Sequence, residues 1–226
     1  MERTAFSPDF RRNPAHRRLQ PIQSAPPHPA HITWHSHSII PEQRAAQKQQ
    51  TPCVLWLTGL SGAGKSTLAN ALDEALFQLG HHAFVLDGDN LRFGLSSDLG
   101  FSDTDRSESA RRAGEAARLL MEAGLIVIVA TIAPFRRDRD AVRARHPAQR
   151  FIEIHIDAPI GICELRDPKG LYRRARNGEI HNFTGIDSPY EPPDAPELII
   201  NSAVLPVVDS VESVLSYLRT QEIIAA

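Results

Sequence analysis

Nine consecutive residues, 59–67, read Gly-Leu-Ser-Gly-Ala-Gly-Lys-Ser-Thr and contain the pattern G-x-x-x-x-G-K-[ST]. Glycines allow successive backbone N–H groups to turn towards a phosphate, and the N-terminus of the following helix adds positive potential. In this pattern the lysine reaches the β- and γ-phosphates of a nucleoside triphosphate, and the next hydroxyl ligates Mg²⁺. We therefore predict a phosphate-binding loop, here called the P-loop. Its predicted binding residues are Gly59, Leu60, Ser61, Gly62, Ala63, Gly64, Lys65, Ser66 and Thr67.

The residues around the P-loop have the pattern that such a loop requires. An apolar run, residues 54–58, precedes it, and apolar residues at helical spacing follow it over residues 68–72. A buried strand, a glycine turn and a helix are the structural context in which the motif binds phosphate. The alternative is an ordinary glycine-rich turn between a strand and a helix, which the complete motif disfavours.

A second pair of candidate residues follows another short apolar run, residues 83–86. Asp87 and Asp89 come directly after this predicted strand, and ligands bind at the carboxyl ends of the strands in open parallel sheets. Carboxylates near a triphosphate suit a small-molecule kinase, where they position the acceptor hydroxyl and help to hold Mg²⁺. A GTPase is disfavoured because the three lysines of the chain form no N-K-x-D motif. A motor ATPase is disfavoured because no carboxylate follows the apolar run at residues 126–129.

Strand and helix patterns alternate along the rest of the chain. Further strands are predicted at residues 125–130, 151–157 and 198–200, and further helices at residues 103–123, 136–145 and 160–166. A capping box at residues 209–212 is predicted to open a final helix that ends near Arg219. This order predicts an α/β fold of the P-loop kinase type, with a doubly wound parallel sheet and helices on both faces.

The chain divides into three predicted segments. Residues 1–30 are rich in Pro, Arg, His and Gln, and such a composition predicts a disordered polar tail. Residues 31–52 form a lead-in, and residues 53–226 form the P-loop domain. Within that domain, residues 167–196 hold several Gly and Pro residues and little periodicity, which predicts a functional lid.

Composition excludes several classes of partner. The formal net charge of -2 gives no bulk attraction to nucleic acid or to an acidic membrane. The longest apolar run, residues 125–130, has the length of a strand and is too short to cross a membrane. Cys53 and Cys163 lie far apart in sequence and fit no metal-ligand spacing, so we interpret them as reduced residues of a cytoplasmic protein.

Several ordered motifs resemble the adenylylsulfate kinase family, and the resemblance runs from about Trp34 to the C-terminus. That family transfers the γ-phosphate of ATP to the 3′-hydroxyl of adenosine 5′-phosphosulfate and forms 3′-phosphoadenosine 5′-phosphosulfate. The motifs are Asp87-Gly88-Asp89-Asn90-Leu91-Arg92, Leu99-Gly100-Phe101-Ser102, Asp105-Arg106, Arg111-Arg112, Asp167-Pro168-Lys169-Gly170-Leu171-Tyr172 and residues 182–191.

The resemblance implies roles for individual residues. Lys65, Asp87 and Asp89 would be catalytic, Ser66 and Asp87 would hold Mg²⁺, and either aspartate could orient the acceptor hydroxyl. The residues implied in acceptor binding are Asp89, Asn90, Leu91, Arg92, Phe101, Arg106, Ser109, Ile132, Ala133, Lys169, Phe183 and Thr184.

The chemistry of this acceptor agrees with the implied residue types. A phosphosulfate group suits guanidinium groups, which contact anions through two parallel hydrogen bonds, and the resemblance gives this role to Arg92 and Arg106. An adenine suits flat aromatic contacts, which it gives to Phe101 and Phe183. Three lid arginines are candidates for phosphate binding in a closed lid: Arg173, Arg174 and Arg176. Four helical arginines are explained equally well by ion pairs on helix surfaces: Arg111, Arg112, Arg136 and Arg139.

Two residues depart from the family pattern. Ala133 stands where the family commonly has serine, a position described in bacterial members as a phosphoserine intermediate, so transfer is expected to be direct from ATP to the acceptor. Ser109 stands where the family commonly has asparagine, and the loss of the amide predicts weaker acceptor binding.

The resemblance also implies a homodimer and functional coupling to ATP sulfurylase. Two alternatives remain at this stage. One is a P-loop kinase for a related nucleotide or small anion, with Ser109 and Ala133 marking the change of substrate. The other is a catalytically weak, nucleotide-binding module that regulates a partner in sulfate activation.

Overall fold

A computed structural model describes residues 31, 33, 35 and 37–225. The predicted tail, residues 1–30, and Trp34 therefore lie outside the described residues. The three described residues before His37 are exposed, and the residues from His37 onward form one compact unit. Its elements in chain order are α1 (Pro41–Lys48), β1 (Cys53–Thr58), α2 (Lys65–Gln78), β2 (Ala83–Asp87), α3 (Gly88–Phe93), α4 (Asp103–Glu122), β3 (Ile126–Ala130), α5 (Arg136–Arg143), β4 (Phe151–Asp157), α6 (Ile160–Arg166), α7 (Leu171–Arg176), β5 (Leu198–Asn201) and α8 (Val207–Thr220).

The strands form one parallel sheet in the order β2-β3-β1-β4-β5. The central strand β1 and its neighbour β3 are buried along their whole length, as continuous apolar runs in a covered parallel sheet should be. The predicted doubly wound α/β fold is confirmed. Because all strands run in one direction, their carboxyl ends, including those of the P-loop strand and of Asp87, lie along one edge.

Apolar side chains cover both faces of the sheet, since alternate residues of a strand point to opposite sides. On one face, Leu55 and Leu57 of β1 pack with residues of α2 and α8. On the other face, Val54 and Trp56 pack with residues of α4 and α5. Gly114 of α4 permits the close contact with α5, because a Cβ there would lie 2.7 Å from Val142.

The last helix begins earlier than the capping box at residues 209–212 predicts. α8 starts at Val207, and its N-cap is Pro206, which makes no side-chain capping bond. The hydroxyl of Ser210 donates to the backbone carbonyl of Pro206, and the hydroxyl of Ser213 donates to the backbone carbonyl of Asp209. These side chains therefore bond within the helix, and the predicted capping box is wrong.

Three short helices had no predicted counterpart. α1 lies in the lead-in, α3 follows the second strand directly, and α7 lies within the lid. Each has at most eight residues. Within residues 37–225 no helix combines the length and the apolar character needed to cross a bilayer.

One buried glutamine joins α1 to the sheet. The Gln50 amide donates to the carbonyls of His82 and Gly124, each at 2.9 Å, and accepts from the His82 N–H at 2.8 Å. His82 and Gly124 lie just before β2 and β3. Gln50 therefore satisfies three backbone groups at the amino edge of the sheet, opposite the P-loop.

We predict that Gln50→Leu lowers the free energy of unfolding by about 1–3 kcal/mol, because buried backbone groups lose their hydrogen-bond partners. Turnover should not change, since Gln50 lies at the opposite edge from the P-loop. Urea unfolding and a steady-state assay measure the two effects, with Gln78→Ala as a control on an exposed amide. Equal unfolding midpoints for Gln50→Leu and the parent would contradict this account.

Candidate active site

One cleft at the carboxyl edge of the sheet contains most of the predicted site residues. Its volume is about 790 Å³. Members of the P-loop line one part of it. The other predicted residues that line it are Asp87, Asp89, Arg92, Phe101, Arg106, Ser109, Ile132, Ala133, Lys169, Phe183 and Thr184.

The glycines of the P-loop are required by its backbone path. At Gly59 φ is +151°, and a Cβ would lie 2.5 Å from the carbonyl oxygen of Ile156. At Gly62 φ is +74°, and a Cβ would lie 2.9 Å from the carbonyl oxygen of Cys163. Residues other than glycine rarely adopt such φ angles. The loop therefore packs on β4 and α6 in a way that only glycine permits.

Lys65 is the first residue of α2, and its side chain folds back into the loop. Its Nζ donates to the carbonyls of Gly59 at 2.9 Å and Leu60 at 2.8 Å. Burial lowers the pKa of Lys65 to about 8, although the nearby carboxylate of Asp87 acts in the opposite direction. A triphosphate bound in the loop would favour the charged form of this amine.

The two aspartates after β2 have different surroundings. Asp87 accepts a hydrogen bond from the Ser66 hydroxyl at 2.6 Å and another from the Asp89 N–H at 2.9 Å, as the N-cap of α3. The side chain of Asp89 is exposed and forms an ion pair with Lys169 of the lid. Asp87 is therefore directed at the P-loop, whereas Asp89 faces the lid.

Ser66 and Asp87 provide suitable ligands for Mg²⁺. They bring one hydroxyl and one carboxylate oxygen together beside the P-loop. Mg²⁺ in kinases is usually held by one or two protein ligands together with substrate phosphates. Among the described residues no cluster of three or more His, Cys, Asp or Glu side chains could hold a metal by itself. The donor set thus fits a cation that arrives with a nucleotide.

A cationic and aromatic cluster lies at the α3–α4 end of the cleft. The Cζ of Arg92 lies 4.1 Å from the centre of the Phe101 ring, and that of Arg106 lies 5.6 Å away. Phe101 is 56% exposed, whereas Arg106 is only 9% exposed and donates to the Phe101 carbonyl at 3.0 Å. Burial lowers the pKa of both arginines. The cluster therefore brings two guanidinium groups against one aromatic ring that is more than half exposed.

The predicted lid, residues 167–196, contacts both halves of the cleft. Phe183 is buried and packs edge-on against Tyr172 with 5.0 Å between ring centres. Tyr172 donates to the Ser61 carbonyl in the P-loop at 3.0 Å. Arg106 donates to the Asn182 carbonyl at 2.6 Å, which ties the lid to α4. The Thr184 hydroxyl is buried at the cleft without a hydrogen-bond partner in the described part of the chain.

The loop after β3 forms another wall of the cleft. The Thr58 hydroxyl donates to the Ile132 carbonyl at 2.6 Å. Ala133 is buried and has a φ of +40°, which is unusual for a residue with a side chain. Its carbonyl accepts from Arg139 at 2.7 Å.

Arg139 does not lie on a helix surface. Its guanidinium is 1% exposed and pairs with the buried carboxylate of Glu153 at 2.7 Å. Arg111 and Arg112, by contrast, form surface ion pairs with Glu108, as the surface interpretation predicts. The sequence gives no sign of the difference, because α5 is charged along almost its whole length.

Some predicted residues do not line the cleft. Asn90 is exposed, and Leu91 packs against the core beneath α4. Gly59 and Leu60 contribute carbonyls to Lys65 rather than surface to the cleft.

The lid arginines divide in the same way: Arg174 lines the cleft, whereas Arg176 pairs with Glu164 at 2.5 Å. Arg166, which the sequence did not single out, also lines the cleft and donates to the Ser202 carbonyl at 2.5 Å. Its position just before the lid motif is the only signal that could have suggested it.

This chain is similar to known kinases over most of its length. Residues 51–201 match the family profile described as Adenylylsulphate kinase. Adenylyl-sulfate kinases of Marinobacter nauticus and Shewanella denitrificans are 55% and 56% identical to the chain over 195 residues. Those alignments cover 86% of this chain and 98% and 95% of the relatives.

Solved structures give the same result. The APS kinase CysC of Mycobacterium tuberculosis in complex with AMPPNP and APS matches with a TM-score of 0.72 and 44% identity. The match covers 75% of this chain and 99% of that one. A hexameric APS kinase from Thiobacillus denitrificans matches with a TM-score of 0.59 and 34% identity, over 78% of this chain and 30% of that one. This chain is a P-loop kinase that belongs to the adenylylsulfate kinase family.

Proposed function

We propose that this chain transfers the γ-phosphate of ATP directly to the 3′-hydroxyl of adenosine 5′-phosphosulfate, giving 3′-phosphoadenosine 5′-phosphosulfate and ADP. The observation that carries this proposal is the shared cleft. The P-loop, the cluster of Arg92, Phe101 and Arg106, and the two aspartates Asp87 and Asp89 all line the same cleft. A donor and an acceptor nucleotide can therefore meet at the two carboxylates.

The donor side needs positioning and charge neutralisation, since phosphoryl transfer requires little covalent chemistry from the protein. Lys65 would donate to the β- and γ-phosphates in place of its present carbonyl partners. Ser66 and Asp87 would hold Mg²⁺, which when bound neutralises charge on the phosphates. The glycine-dependent path of the P-loop directs backbone groups at the same anion.

The acceptor side matches a nucleotide that carries an anionic tail. Arg92 and Arg106 would bind the phosphosulfate, because guanidinium groups suit planar, paired contacts with anions. The adenine would stack on the exposed ring of Phe101 and contact Phe183 of the predicted lid. The unpartnered hydroxyl of Thr184 offers one further polar contact.

We assign the orientation of the acceptor hydroxyl to Asp89. Asp87 already accepts bonds from Ser66 and from a backbone amide, and its direction suits the metal. Asp89 is free to exchange its ion pair with Lys169 for a bond from the ribose. Lys169 would then be released to bind the anionic acceptor as the lid closes.

A protein-bound phosphate is not needed for this reaction. Ala133 has no hydroxyl, so the position that carries serine in relatives cannot accept phosphate here. A purely regulatory nucleotide-binding module is less well supported, because such a module does not need metal, phosphate and acceptor groups in one cleft. A homodimer, a cytoplasmic location and coupling to ATP sulfurylase remain parts of the proposal.

The central experiment measures ADP release by the purified chain with ATP, Mg²⁺ and adenosine 5′-phosphosulfate. Controls replace the acceptor with adenosine monophosphate or omit it. We expect turnover only with the phosphosulfate, and no phosphorylated protein in intact mass spectra after incubation with ATP alone. Folded protein without acceptor-dependent turnover would overturn the proposed activity, and a phosphorylated protein would overturn direct transfer.

The two aspartates should respond differently to loss of charge. Asp89→Asn should lower kcat by about 10²–10⁴-fold, as expected for a group that acts on the acceptor proton, and leave the Mg²⁺ dependence unchanged. Asp87→Asn should raise the Mg²⁺ concentration needed for half-maximal rate. Rates measured against Mg²⁺ separate the two variants, and the reverse pattern would exchange the assigned roles.

Lys65→Met should abolish most activity but stabilise the nucleotide-free fold at neutral pH. A pKa lowered to about 8 means that the charged amine destabilises the folded state at pH 7 by about 3 kcal/mol. Between pH 8 and the unfolded pKa of 10.5, the unfolded state binds more protons, so the parent gains stability as pH rises.

The difference in unfolding free energy between Lys65→Met and the parent should therefore shrink from pH 7 to pH 10. Other titrating groups cancel in this difference because both proteins contain them. A difference that stays constant over this range would show that burial does not lower the pKa of Lys65 in the folded state.

A further inference from the structure

A single buried arginine joins two parts of the active site that are far apart in sequence. All three nitrogens of the Arg139 guanidinium donate at 2.7 Å, and each has a different acceptor. Nε donates to the carboxylate of Glu153, Nη1 donates to the carbonyl of Ala133, and Nη2 donates to the carbonyl of Glu191. Arg139 itself does not line the cleft.

The first of the two joined parts is the acceptor wall, defined here as residues 131–134. All four residues line the cleft. Ala133 holds a φ of +40°, a left-handed conformation that alanine avoids without external support. The hydrogen bond from Arg139 to its carbonyl supplies such support, because it fixes the direction of the peptide that follows Ala133.

The second part is the lid anchor, defined here as residues 189–191. Glu191 is attached at three atoms: its N–H donates to Pro134 at 2.9 Å, its carboxylate accepts from the Arg136 N–H at 2.7 Å, and its carbonyl accepts from Arg139. The Tyr190 hydroxyl lies 3.2 Å from that of Thr58. The lid therefore returns to the sheet at the same point as the acceptor wall.

Glu153 determines the direction in which Arg139 can point. Its carboxylate is buried, lies on the central part of β4, and accepts from Nε of Arg139. A planar guanidinium held on one edge presents its other nitrogens in fixed directions. Those directions coincide with the two carbonyls, one on each joined part.

We propose that Arg139, held by Glu153, is a positioning residue that fixes the acceptor wall and the lid anchor as one rigid unit. It touches neither substrate, but it sets the wall against which the acceptor lies and the pivot from which the lid closes. The inference rests on the proposed function for the identity of the acceptor. It predicts that loss of Arg139 impairs use of the acceptor and leaves ATP binding intact, since Arg139 has no contact with the P-loop.

The decisive variant removes both charges, because Arg139→Met alone leaves the Glu153 carboxylate buried with one weaker partner, Arg143 at 3.3 Å. Replacing a buried ion pair with apolar residues is often neutral for stability. The double variant Arg139→Met/Glu153→Met should therefore fold, yet its two backbone carbonyls still lack their donor. Stability and positioning are thereby separated.

For the double variant we expect kcat/KM for the acceptor to fall by about tenfold to a hundredfold, the scale of a misplaced substrate. The KM for ATP should stay within about twofold of the parent, because the P-loop is untouched. Arg143→Met is the matched control: it lies on the same helix and pairs with Glu153 and Glu197, but it contacts neither joined part. Its acceptor kinetics should equal those of the parent.

Hydrogen exchange of the free protein gives a second measurement that needs no turnover. The Glu191 amide bonds to Pro134 and should exchange faster in the double variant, but not in Arg143→Met. Unchanged exchange at Glu191, or faster exchange with normal acceptor kinetics, would overturn the positioning role. If the parent has no activity on adenosine 5′-phosphosulfate, the proposed function fails, and exchange at Glu191 still decides whether Arg139 joins the two parts.

Discussion

The common direction of the five strands is the constraint on which this site depends. Parallel pairing brings the carboxyl ends of β1, β2 and β3 to one edge, so the P-loop, Asp87 and the acceptor wall become neighbours although they are separated in sequence. The 2.6 Å bond between Ser66 and Asp87 directly links the start of α2 to the end of β2 at that edge. Because backbone pairing sets these positions, few side-chain contacts are needed to bring the site residues together.

Long, regular patterns made the sheet and the P-loop predictable from sequence. Continuous apolar runs predicted β1 and β3, and the spacing of glycines predicted the P-loop. The structure explains why Gly59 is needed there, since a Cβ would clash with the carbonyl oxygen of Ile156. The start of α8 was not predictable, because its serines can bond within the helix as well as cap it. A local sequence pattern predicts a helix start only when its side chains have no other hydrogen-bond acceptor nearby.

The site residues that sequence did not identify are those whose roles come from tertiary contacts. Arg139 stands among other arginines, and only its tertiary contacts, such as the ion pair with Glu153 of β4, distinguish it as buried. Leu91 lies in a motif of the family, yet its side chain packs against the core and does not line the cleft. Residue type and spacing predict what chemistry is possible. Burial and tertiary contacts determine which of several residues of one type has a given role.

The absence of a hydroxyl at Ala133 has a consequence for how the cell consumes ATP. A kinase that can store phosphate on itself can also lose it to water when no acceptor is present. With direct transfer, as we propose, both nucleotides must occupy the cleft together before any bond breaks. The rate of ATP consumption would then follow the supply of activated sulfate, and an idle enzyme would not drain the nucleotide pool.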